Sequence, residues 1–218
     1  AFAQSGPFAA APVQIADDTT LDLIVDGMLR YETVSQPDTP LQDADALTFR
    51  MRSGAELVSH GFFVLGEAEA TLAIVDNYND TIPGNGIEPY PVVPDPENVE
   101  LNRLQIGYKS KAGTLTVGRQ RIIHDDHRFV GNVGWRQNEQ TFDAVRAQGN
   151  IGPVALDATY AISQRTIFGI DSPNSHFDGD MILLNGGIDV KIAQVKAFAY
   201  LLDYDDEKPG RLAYSSQS

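Results

Sequence analysis

Leu21-Asp22-Leu23-Ile24-Val25-Asp26-Gly27-Met28-Leu29-Arg30-Tyr31-Glu32 is the stretch on which the fold turns. Leu21, Leu23, Val25, Gly27, Leu29 and Tyr31 share one parity. Asp22, Asp26, Arg30 and Glu32 share the other, with Ile24 and Met28 as exceptions. Successive side chains of a strand point to opposite faces, so the segment predicts one apolar and one charged surface. The pattern recurs. Leu47, Phe49, Met51 and Leu57 oppose Thr48, Arg50, Arg52 and Glu56, while Val64, Ala68, Ala70, Leu72 and Ile74 oppose Glu67 and Glu69. Further on, Val154, Leu156, Ala158, Tyr160 and Ile162 oppose Asp157, Thr159 and Ser163, and Ile182, Leu184, Ile188 and Val190 oppose Asn185 and Asp189.

Working outward from these segments, about nine strand-like runs emerge. They are Thr20–Thr33, Ala46–Leu57, Phe62–Val75, Glu100–Ser110, Thr114–Ile122, Gln140–Gln148, Val154–Ser163, Asp180–Val190 and Ile192–Tyr204. Tight joints at Val58–Gly61, Lys111–Gly113, Gly149–Pro153 and Lys191 alternate with longer gaps at Val34–Asp45, Asp76–Val99, Ile123–Glu139 and Gln164–Gly179. An up-and-down antiparallel meander with short turns on one rim and long loops on the other is the construction of an outer-membrane β-barrel. Mid-strand Arg and Glu suit a water-filled lumen. Tyr31, Tyr108, Tyr160 and Tyr204 lie near strand ends, where an interfacial girdle belongs. A soluble β-sandwich that binds a ligand is the competing fold, since its strands also alternate. The facing of the fifth, sixth and ninth runs stays open at this level.

Composition narrows the classes. In 218 residues at 42% hydrophobic content, no run approaches the ~18 apolar residues of a membrane helix. The mean hydropathy of −0.21 does not oppose a barrel, whose strands show lipid only every second residue. No cysteine is present, so there is no disulfide framework. The net charge of −14 argues against nucleic acid, which needs a cationic field. Ala1-Phe2-Ala3-Gln4 has the small-x-small form of a signal-peptide end, giving residues 1–3 as that end and 4–19 as a periplasmic lead-in with no fold of its own. Residues 20–218 then form the barrel portion.

One stretch is distinctive: Gly118-Arg119-Gln120, then Arg128-Phe129-Val130-Gly131, Gly134-Trp135-Arg136-Gln137 and Gln140-Thr141-Phe142-Asp143. Together with Leu201-Leu202-Asp203-Tyr204-Asp205-Asp206, it resembles the alginate-export (alginate porin-like) family of bacterial outer-membrane proteins. The resemblance implies an 18-stranded barrel with a passive, electropositive lumen for an acidic polysaccharide or small solutes. Membrane lipid and lipopolysaccharide would surround it. About nine strands are present, without the aromatic-ended final strand of such barrels, so the chain reads as an N-terminal half whose partner is a missing C-terminal half.

The resemblance directs attention to cations that meet sugar carboxylates, where a guanidinium fork binds bidentately. The chain has eleven arginines and five lysines. The expected lumen path comprises Arg30, Arg50, Arg52, Arg103, Arg119, Arg121 and Arg146, with Glu32, Glu56, Glu67 and Glu69 pairing some of them. Arg128, Trp135, Arg136 and Gln137 are expected to fold inward as a constriction loop. A ladder of Arg–Glu pairs that merely braces the wall is the structural alternative. His124-Asp125-Asp126-His127 holds metal-ligating types, but a loop imposes no ligand geometry, so no metal or cofactor is assigned. No nucleophile elbow or phosphate loop occurs, and no enzyme is expected. The functional expectation is a channel for diffusion or export of an anionic saccharide. The alternatives are a general or neutral/cationic-solute porin on the same barrel, or the soluble secreted sandwich.

Overall fold

A computed structural model describes residues 11–190, 192–206, 216 and 217. The signal-peptide reading of residues 1–3, the start of the lead-in and the Lys191 turn lie outside them. Among the described residues there are eleven strands and no helix: β1 (Val13–Ala16), β2 (Thr19–Val34), β3 (Ala44–Ser59), β4 (Phe62–Asn77), β5 (Asn98–Lys109), β6 (Gly113–Gln120), β7 (Thr141–Ile151), β8 (Val154–Arg165), β9 (His176–Val190), β10 (Ala193–Tyr204) and β11 (Ser216–Gln217). They form one sheet in strict sequence order, every neighbouring pair antiparallel. The nine expected strands are β2 to β10. β1 is an addition: Val13–Ala16 pairs with the start of β2, so the lead-in is not wholly without structure.

The alternation of joints holds. Two residues separate β3 from β4, and His60 and Gly61 both take positive φ (51° and 86°), the geometry of a tight hairpin that matches strand twist. On the opposite rim the connections 35–43, 78–97, 121–140 and 166–175 are all longer.

Cross-strand register then divides the sheet into two faces. Leu21 meets Leu57, Leu29 meets Phe49, and Tyr160 meets Ile182, all on an outer face that no second sheet of the described residues covers. Val25 is 74% exposed and Leu23 65%. Leu21, Val25, Leu47, Phe49, Leu156 and Ile182 share this face, which removes the sandwich. From Leu21 to Tyr31 the apolar parity is unbroken, close to the roughly 9–11 residues that a tilted strand needs to cross a bilayer.

The inner face is buried and polar: Arg50 is 4% exposed and Glu69 1%. It is covered by the 78–97 and 121–140 loops. Ile122 and Val130 of the second loop pack on Phe142, Met181, Leu183 and Tyr200, all buried. Register also resolves the open facings. Thr116 and Gln120 of β6, Ala144 and Arg146 of β7, and Tyr200 of β10 point inward, while Val117, Val145 and Leu201 point outward. Tyr204 departs from the expected girdle. It shares parity with Tyr200, is 9% exposed, packs edge-on against Phe177 and donates to Gln164 Oε1 at 2.7 Å. Tyr31, Tyr108 and Tyr160 remain exposed on the outer face.

Candidate functional site

The inner wall carries a polar network assembled from strand residues and two inward-folded loops. In β5 the register skips Asn102, because Glu67 pairs with Arg103 and Ala68 with Leu101. Such a bulge adds one residue to a strand and breaks its parity. Asn102 and Arg103 therefore both reach Glu67. Arg103 grips it bidentately at 2.8 and 2.6 Å, and Asn102 Nδ2 donates at 2.7 Å.

The 121–140 loop is tied to this wall residue by residue. Gln137 Nε2 donates to the Thr48 carbonyl (2.9 Å) and hydroxyl (2.7 Å) of β3. Asn138 Oδ1 accepts from Thr71 of β4 at 3.0 Å. Glu139, 1% exposed, accepts from Asn102 (2.7 Å), Asn132 (2.7 Å) and Arg121 Nε (2.7 Å), with Arg52 Nη1 at 3.5 Å. The 78–97 loop contributes Asp95, whose fully buried carboxylate accepts from Arg30 (2.5 Å), Arg136 (3.3 Å) and the Gln137 backbone N–H (3.0 Å). Arg136 also donates to Glu32 at 3.0 Å.

Burial alone would push the Glu139 carboxyl up. The hydrogen bond and charge of Arg121, then Arg52 and Asn102, outweigh it and bring the group down to about 2. Because this lies below the ordinary 4.5, the fold favours the ionised form. Its contribution is complete above pH about 4.5 and is lost as pH falls toward about 2. Pepsin cleavage within 121–140, taken relative to an unstructured peptide at the same pH because pepsin's own rate rises toward acid, should accordingly rise as pH falls across that window. A cleavage rate constant through it would remove Glu139 as the loop's anchor.

Most of the anticipated site residues come together on this wall. Arg30, Arg50, Arg52, Arg103 and Arg146 lie on the inner face, and Arg121 closes on Glu139 from the loop. Each has a carboxylate partner: Arg50 with Asp26, Arg52 with Glu69, and Arg146 with Asp157. Glu32, Glu67 and Glu69 are paired as expected. Glu56 is on the same face, with no cation in ion-pairing distance among the described residues.

Arg119 is a correction. Register sets it beside Leu104 and opposite Asp143, with Val117 and Val145, on the outer face. There it forks onto Asp143 at 2.8 and 3.0 Å and donates to the Leu101 carbonyl at 3.0 Å. That carbonyl lies where β5 has run past the end of its pairing with β6, so an arginine at the rim satisfies backbone the ladder leaves open.

In the loop, Arg136 and Gln137 are buried as the inward fold requires. Trp135 lies with its ring 4.0 Å from the Arg136 guanidinium and 5.1 Å from that of Arg30, yet remains 58% exposed. Arg128 is exposed and lies 5.5 Å over the Phe129 ring. The His124–Asp125 pair fastens the far end of the loop. His124 Nδ1 is 3.2 Å from the Tyr200 hydroxyl and its Nε2 is 3.6 Å from Asp157. Asp125 bonds Lys196, and also Asn185 at 3.1 Å, and these hydrogen bonds lower its carboxyl.

Asp95, Asn102, Asn138 and Glu139 were not singled out by sequence reasoning. Glu139 follows Gly134-Trp135-Arg136-Gln137 with only Asn138 between, and a lone acid beside an arginine-rich motif is the signal that marks it.

The sequence profile of the Alginate export family matches residues 42–162. No curated protein matches the chain. The crystal structure of OccAB1 from Acinetobacter baumannii is similar over 86% of this chain and 44% of that one, at 14% identity and a TM-score of 0.57. The chain thus spans less than half the length of that structure. OmpT, an outer membrane protein of Vibrio cholerae, is similar over 92% of this chain and 69% of that one at 14% identity, with a TM-score of 0.31, too low to bear on the fold.

Proposed function

Since this chain belongs to the alginate-export family and is a β-barrel protein of the bacterial outer membrane, we propose that it forms part of the wall of a passive channel whose solute is an anionic saccharide. The observation that carries the reading is the sidedness of the sheet. Apolar side chains cover an outer face free of any packing partner among the described residues, and charged side chains with two inward-folded loops cover the other. Water and a polar solute pass along such an inner face while lipid wets the outer one. Closure of the barrel with further strands, and the lipopolysaccharide around it, belong to the same proposal.

A second reading, a general porin or one for neutral or cationic solutes, draws support from the pairing. The inner-face arginines are matched by carboxylates, so the wall is of mixed charge rather than plainly cationic.

Ion selectivity of the complete protein in a planar bilayer separates the two. Under the anionic-saccharide reading the reversal potential favours anions despite the chain's acidic total, because low-dielectric walls let the nearest groups dominate. The double substitution Arg50→Ala/Arg52→Ala leaves Asp26 and Glu69 unmatched and moves selectivity toward cations, most at low salt. Cation preference before substitution, or no change after it, selects the general porin.

A further inference from the structure

Three of the long loops meet at one side chain. Asn138 is fully buried, and both ends of its amide are in use. Its Oδ1 accepts from the Thr71 hydroxyl of β4 at 3.0 Å and from Asn98 Nδ2, at the start of β5, at 3.4 Å. Its Nδ2 donates to the Pro96 carbonyl of the 78–97 loop at 3.3 Å and to the Ile167 carbonyl of the 166–175 connection at 3.4 Å. An asparagine amide offers two donors and two acceptor positions, so this one is saturated. One residue of the 121–140 loop thus holds the wall, the long loop before it and the long loop after it.

Neighbouring contacts repeat the convergence. Asp95 of the 78–97 loop accepts from the Arg136 side chain and from the Gln137 backbone N–H. The 166–175 connection depends on this joint more than the other two. Among the described residues, its hydrogen bonds to other elements are the one to Asn138 and that of the Ile170 N–H to Asn98 Oδ1 at 3.1 Å. Gly169 closes the contact. Its φ is +77°, and a Cβ there would stand 3.1 Å from Pro96 Cγ. Glycine is what lets the third loop approach the first so closely.

We infer that Asn138 is the keystone that makes these three loops one body, which lifts from and settles on the inner wall as a unit. The two bonds that Asn138 donates are long, and their weight comes from burial. Drawing one loop away by itself leaves part of the amide, or a carbonyl facing it, unpaired in a site closed to water. That costs more than the bond was worth. Lifting the three together hands the same groups to water. Openings of a single loop are therefore disfavoured, and conductance that depends on the loops changes in one step. The consequence for conductance rests on the channel reading; the coupling of the loops does not.

The test reads the loops to which Asn138 does not belong. Amide hydrogen exchange of the complete protein in detergent micelles, followed by mass spectrometry, reports the opening of each loop separately. Asn138→Asp keeps size and Oδ1 but turns Nδ2 into an oxygen facing two carbonyls. It should speed exchange about tenfold in 78–97 and 166–175 as well as in 121–140. Gly169→Ala enters from the other side, straining a positive φ and pressing on Pro96 without touching the 121–140 loop. Exchange in 121–140 should nevertheless rise about threefold with that in 166–175. Gly152→Ala, equally strained at φ +59° but in a short turn on the opposite rim, should leave all three loops unchanged. In a planar bilayer the unsubstituted protein should close in single full steps, and Asn138→Asp in two or more smaller ones. Faster exchange confined to 121–140 in Asn138→Asp, or to 166–175 in Gly169→Ala, overturns the keystone, as do independent partial closures of the unsubstituted protein. Concerted exchange in a protein that carries no current leaves the keystone standing and removes the channel.

Discussion

Glu139→Ala should release the 121–140 loop from the wall and produce the largest loss of stability of any single substitution on the inner face. The side chain is fully buried and gathers Asn102, Asn132, Arg121 and Arg52 around one carboxylate. Truncating it leaves the Arg121 guanidinium without its carboxylate and Arg52 with Glu69 alone. Breaking a buried pair in this way costs about 3–5 kcal/mol, more than the pair's net worth, because the surviving charges stay desolvated. Urea titration of the protein in micelles should register that loss. Trypsin should cut at Arg121 or Arg136, whose guanidinium groups the native loop holds in ion pairs. Glu139→Gln, which keeps volume and one acceptor oxygen but turns the other into a donor and removes the charge, should fall between. A truncated protein with unchanged protease resistance would mean that Gln137 and Asn138 hold the loop by themselves.

The second large effect belongs to the opposite face. Val25→Arg places a cation at the centre of the outward apolar run of β2, where the side chain is already 74% exposed. For a soluble sheet this would be a harmless surface change. For a barrel it should cost about 2–4 kcal/mol at the bilayer midplane. Val25→Thr, of similar shape and without charge, should cost far less. The measurement is denaturant-dependent folding of the complete protein into lipid vesicles. Equal stability of the two variants would detach β2 from the membrane.

These two residues also mark how far local sequence reaches. Val25 was assignable at once, because alternation over a dozen residues is a local property that needs no partner. Glu139 was not. Nothing periodic surrounds it, and its role depends on Asn102 and Arg52, which lie 37 and 87 positions away in the chain. Asp95 is the same case. It sits in Pro94-Asp95-Pro96, where proline withholds backbone donors and neither strand nor helix periodicity exists. Only the inward fold of the 78–97 loop brings it under Arg30 and Arg136.

Bulges account for part of the remainder. Assigning a face from parity presumes an unbroken period of two, and β5 breaks it at Asn102, β4 at the Leu47/Thr48 register and β8 near Ile162. Each inserted residue reverses the parity beyond it. That Arg119 faces outward and Tyr204 inward follows from register between strands, which no single strand displays.

The amino-acid sequence by itself determined the strand order, the alternation of short turns with long loops, and which side chains of β2, β3, β4, β8 and β9 meet lipid. Those are set by nearest neighbours in the chain and by the thickness of a bilayer. Tertiary structure alone decided which carboxylate neutralises which arginine. Ion pairing depends on distances of a few ångströms between residues far apart in sequence, and a shift of one residue in register exchanges every partner.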